Sequence, residues 1–126
     1  MKQIETPDVF FIIDNETLFC SYKQNIVMDL GMAKRIVKDR MEFTKGKSYP
    51  ILIDFTNLKS ATKEARDYMN DPKGGLMGLS KGAFLSNNVV TTVFINLYLK
   101  INRPTIPAKF FTNKQDALNW LKSNKN

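Results

Sequence analysis

The chain has 126 residues, 43% hydrophobic and 25% charged, a composition suited to one domain, residues 1–126, that closes a core without disulfide or metal. It carries no histidine and one cysteine, which excludes Ser/His and Cys/His catalysis, histidine-ligated metals and a four-thiolate zinc site. Its net charge of +7 permits attraction to nucleic acid, an acidic membrane surface or an acidic partner, although the scattered lysines read first as a soluble basic surface.

The opening MKQIETPDVFFIID lacks the basic region, long apolar core and cleavage site of a signal peptide, so the expected location is the cytoplasm. Val9 to Ile13 is β-rich and ends in the turn-like DNET, and Leu18 to Tyr22 alternates. Together they predict an opening β-hairpin, with Cys20 as a buried, inert thiol. Asp29 then caps a helix to about Thr44 in which Leu30, Ala33, Val37 and Met41 form an apolar row. Lys34, Arg35 and Lys38 share another side, a candidate basic patch with Lys45 and Lys47. After the break at Gly46, ILIDF reads as a buried strand carrying one acid, Asp54.

A short polar turn follows, and Ser60 or Thr62 offers the cap for a helix over KEARDYM that Asp71-Pro72 stops. The glycine-rich KGGLMGLSKG lacks both the Walker and the GxGxxG spacing, so it is read as a flexible connection into a strand around Ala83 to Leu85. From Val89 the spacing predicts a helix. Val89, Val93, Leu97 and Ile101 form one apolar row and Val90, Phe94 and Tyr98 another, giving a core-facing side. Ile95 and Leu99 make a smaller ridge, free to face solvent, a partner subunit in a homodimer, or an apolar ligand. This segment is too short to span a bilayer and contains Asn96 and Lys100. AKFF is the last strand, and Thr112 and Gln115 have capping-box spacing before a final helix docked by Leu and Trp side chains. The order ββαβαβαβα predicts an α/β fold with a mixed, mainly parallel sheet of about five strands and about four helices.

The stretches VMDLGMAKRIVKDR, GKSYPILIDFTNLKSATKEARDYM and FINLYLKINRPTIPAKFFTNKQDALNWL cover most of the chain. With this element order they resemble a family of small bacterial proteins of unknown function with the SpoIIAA-like fold. That fold is shared by STAS domains, among them the anti-anti-sigma factors, and by lipid-binding Sec14/CRAL-TRIO domains. The resemblance implies a non-enzymatic regulatory or protein-interaction module. In anti-anti-sigma factors the turn after the equivalent strand carries an Asp-Ser-Ser-Gly motif with a phosphorylated serine. Here that turn is NLKSATKEAR, without the motif, and Ser60 and Thr62 read as helix caps before regulatory hydroxyls.

Asp54, Lys63 and Arg66 are the candidate surface around that junction, and no nucleophile is paired with a base. The alternative function is binding of a small apolar or lipid-like ligand between the glycine-rich loop and the helix from Val89. Its candidate lining is Leu76, Met77, Leu79, Ile95 and Leu99. Nucleic acid is the least favoured partner, for want of a reader motif or stacking platform, and no cofactor is expected.

Overall fold

The hairpin begins with Val9, Phe11 and Ile13 alternating against Phe10 and Ile12, the period of a strand with one face on the core. In the computed structural model, which describes residues 1–123 without the side chains of Val90, Phe94 and Leu97, this strand is Val9–Asp14. Counted in chain order, β1 is Lys2–Glu5, β2 Val9–Asp14, β3 Thr17–Tyr22, β4 Ile26–Met28, β5 Tyr49–Asp54, β6 Leu58–Ala61, β7 Leu79–Leu85 and β8 Ala108–Phe111. The helices are α1 Leu30–Thr44, α2 Lys63–Met69, α3 Val89–Asn102 and α4 Lys114–Lys122.

Asn15 and Glu16, both with positive φ, make the two-residue turn between β2 and β3 whose twist matches the strands. Six strands form one sheet in the order β1-β2-β3-β5-β7-β8, antiparallel through β3 and parallel from there on. The expected mixed, mainly parallel sheet with four helices is present, with more strands than about five. The polar β1 joins at the edge. β4 and β6 pair in parallel as a separate ribbon, Ile26 with Leu58 and Met28 with Ala61.

The sheet divides two cores. On one side Val9, Phe11, Leu18, Ile51 and Phe84 meet Ala33 and Ile36 of α1, Ala65 of α2 and Ile95 of α3. On the other, Leu52 and Ala83 meet Ala117 and Leu121 of α4. Asp29 caps α1 by accepting from Met32 N at 2.8 Å. The cap of α4 is Asn113, accepting from Asp116 N, and not Thr112, because the helix starts at Lys114, one residue later than the capping-box spacing requires. The left-handed Lys45 and Gly46 end α1.

Candidate functional site

Helix α3 is rotated from its sequence expectation: the described members of the first apolar row face out and the Ile95/Leu99 ridge faces in, while Tyr98 of the second row packs on the core as expected. Ile95 is 1% exposed and Leu99 packs against the same core, whereas Val89, Val93 and Ile101 are 79%, 63% and 67% exposed. Leu97, the fourth member of that row, and Val90 and Phe94 of the second lie outside the described side chains. The helix is apolar over most of its circumference, so spacing fixes the period but not the phase. Phase is set by Thr91, buried against β6 with its hydroxyl donating to Leu58 O at 3.4 Å, and by Tyr98, whose ring packs 6.1 Å from that of Phe84. The ridge is therefore turned to the core, with Ile95 buried and Leu99 partly so, and does not face solvent.

Between the sheet, α2 and α3 lies a cavity of about 50 Å³. Of the five residues proposed to line a ligand site, Leu76, Leu79 and Ile95 line this cavity; Met77 is exposed on the loop, and Leu99 packs beside the core. Gly74 and Gly75 hold the loop against α2. A Cβ on Gly75 would fall on the Met69 carbonyl, and one on Gly74 would stand 2.6 Å from Tyr68 O.

One wall of this apolar space is a cation. Arg40 of α1 is 4% exposed and lines the cavity. Its Nη2 donates to Met77 O at 2.7 Å, and no carboxylate forms an ion pair with it among the described residues. Burial pushes its pKa down from the ordinary guanidinium value, opposed by Cys20, Tyr22 and Tyr68. A guanidinium stays charged in proteins, so this site keeps a buried positive charge. Tyr22 and Tyr98 also line the space, and burial raises both phenols, Tyr98 to about 12. Arg40 follows Ala33, Ile36 and Val37 at helical spacing, a signal that it belongs to the buried face of α1.

The β5–α2 junction contains a strand where a turn was expected. Ser60 lies in β6 opposite Val27, exposed, and does not cap α2. Thr62 does, its hydroxyl accepting from Ala65 N at 3.2 Å. Asp54, Lys63 and Arg66 do not converge. Asp54 accepts from Thr56 N at 2.9 Å and lines a cleft on the α4 side of the sheet, with Phe19 and Leu85. Lys63 pairs with Asp67 one helical turn on, and Arg66 donates to Ala61 O at 2.7 Å in the wall of the inner cavity.

The basic face of α1 is divided in the same manner. Arg35 makes a two-pronged pair with the buried Asp8, Nε and Nη2 each at 2.8 Å, tying α1 to the β1–β2 turn. Lys38 pairs with Glu42 at 3.7 Å, and Lys47 with Glu16 at 3.1 Å. Of Lys34, Arg35 and Lys38, Lys34 alone has no ion partner among the described residues. Among the described residues no group of three His, Cys, Asp or Glu could hold a metal, and no helix is long and apolar enough to cross a membrane.

The architecture is that of a solved structure from Shewanella loihica PV-4, an uncharacterised protein of the DUF3478 family with a SpoIIAA-like fold. The two are 19% identical and superpose with a TM-score of 0.58 over 95% of this chain and 90% of that one. The likeness shows the fold: this chain has the SpoIIAA-like fold. A protein of unknown function from Arthrobacter sp. FB24, 24% identical, gives a TM-score of 0.34 over 88% of this chain and 96% of that one. No curated protein matches the sequence. The profile of one family matches residues 11–125, and the chain belongs to it: the family described as domain of unknown function DUF7793.

Proposed function

We propose that the chain acts as one domain in the cytoplasm, a non-enzymatic regulatory module that meets a protein partner through the outer row of α3. The observation carrying this reading is the exposure of Val89, Val93 and Ile101 on a helix whose opposite side is already buried. Apolar side chains lined up on an exposed helix are the surface a partner protein covers, and a second copy of this chain is one such partner. Ser60, exposed beside the capped α2, is the hydroxyl available for regulation, because Thr62 is occupied by its cap.

The test is capture of partners from the native host by wild type, Val93→Lys and Ser60→Asp, with light scattering over a concentration range to detect self-association. Val93→Lys is expected to abolish the specific partner or the dimer. Retention of both by that variant overturns the reading, and equal capture by wild type and Ser60→Asp removes Ser60 from it.

A second reading is favoured by Arg40: binding of a small, largely apolar ligand in the inner cavity. The lining supports it, and a space of about 50 Å³ favours a small molecule over a lipid chain. Nucleic-acid binding gains no support from a face on which Arg35 and Lys38 are already paired.

A further inference from the structure

We infer that the inner cavity is a site for a short apolar monocarboxylate, its carboxylate held by Arg40 and its tail by Leu76, Leu79 and Ile95. This rests on the second reading above and gives it a ligand class. A buried guanidinium is costly to leave without a counter-charge, and even buried ion pairs are often replaced by apolar residues of similar volume without loss, so stability alone is no reason for a charge at this position. Arg40 has one carbonyl acceptor, Met77 O, and no acid among the described residues. Its planar fork has five donors and matches a carboxylate with two parallel bonds.

The remaining wall selects the rest of the molecule. It is apolar on the sheet side, with Ile51 and Phe84, and on the α3 side, with Ile95, and its other cation, Arg66, is turned to Ala61 O at 2.7 Å. A positive charge on the ligand would find no acid in the lining, which excludes amino acids and amines. Size follows from volume. If one water-sized group needs about 10–15 Å³ of such space, the cavity takes about three to five of them, which covers the two- or three-carbon tail of propionate or butyrate behind a carboxylate seated on the guanidinium. Long acyl chains do not fit.

The experiment is a titration of the full chain with butyrate, 1-butanol, butylamine and dodecanoate, followed by amide chemical shifts in wild type and in Arg40→Met. Butyrate is expected to shift residues around Leu76, Leu79 and Ile95 and to bind at least about tenfold more tightly than butanol, the scale of one charge-assisted hydrogen bond. Arg40→Met is expected to erase that difference while butanol binding persists. Equal binding of butyrate and butanol to wild type overturns the role of Arg40 and leaves the apolar-ligand reading standing. No shift with any of the four overturns both. Tighter binding of dodecanoate overturns the size assignment, and a preference for butyrate that survives in Arg40→Met overturns the residue assignment. Should that variant fail to fold, the wild-type comparison of butyrate with butanol decides the matter by itself.

Discussion

Two buried cations lie on opposite sides of one sheet, and the protein treats them differently. Lys81 of β7, 9% exposed, donates through Nζ to Trp120 O at 2.6 Å, Ser123 O at 3.1 Å and Ser123 Oγ at 3.3 Å, and sits 4.2 Å from the centre of the Trp120 ring. It closes the carbonyl end of α4, where a positive charge is favoured, and its three donors are used. Arg40 has more donors and fewer partners, and it lines the inner cavity. The difference separates a charge whose donors are all engaged by the fold from one that donates to a single carbonyl. The hydroxyls of Thr62 and Ser60 repeat the contrast on a smaller scale.

Breaking the used groups should cost stability, and breaking the spare ones should not. Lys81→Met is expected to lower the unfolding free energy by about 2 kcal/mol, the worth of hydrogen bonds to a charged group, and to speed amide exchange in α4. Arg40→Met is expected to change it by less than about 1 kcal/mol. Urea denaturation measures both, and a larger loss from Arg40→Met breaks the comparison.

The next effect is a pH dependence. Burial, and to a smaller degree Asp54, raises the Cys20 thiol from an ordinary 9.0 to about 12, while Arg40 acts to lower it. The unfolded chain loses this proton near its ordinary value and the folded chain keeps it. Stability from this group is therefore complete below about pH 9 and falls by about 1.4 kcal/mol per pH unit above it. Cys20→Ala should flatten that slope in denaturation midpoints taken between about pH 9 and 10, above which the raised phenols of Tyr22 and Tyr98 add slopes of the same sign. Arg40→Met should move the thiolate absorbance to higher pH still, which reads the charge of Arg40 at a neighbour.

Thr62→Ala is expected to cost about 1 kcal/mol through loss of the α2 cap, whereas Ser60→Ala should stay within about 0.5 kcal/mol. Equal losses would mean that the two hydroxyls share one structural role. The smallest effect belongs to Val93→Lys, expected within about 0.5 kcal/mol of wild type because the position is exposed. A large destabilisation would show that the outer row of α3 is packed in solution.

The long periodic segments were legible: the β2–β3 hairpin, α1 with its Asp29 cap, β5 and β8, and α4 apart from its cap. The short strands were not. The four residues of β1 are all exposed and give no alternation, β4 has three residues, and in β6 burial runs in, out, out, in, which reads as a turn. The phase of α3 was hidden because the helix is apolar over most of its circumference and one of its tertiary anchors, Thr91, is polar. Buried charges were hidden for a related reason: composition gives Lys and Arg a surface prior that packing alone overrides. Their neighbours did carry the signal. Arg40 continues the Ala33–Ile36–Val37 stripe, and Lys81 stands two residues before Ala83, which packs under α4.

The two glycines beside α2 have a dimensional consequence. At Gly75 main chain rests on main chain, so an added methyl group finds no rotamer to displace and the loop can only lift as a piece. Lifting it carries Leu76 out of the cavity wall and the Met77 carbonyl away from Arg40. The spacing between the loop and α2 is thus gauged by backbone thickness. One methyl group at position 75 resets what fits and what the guanidinium holds in the same stroke.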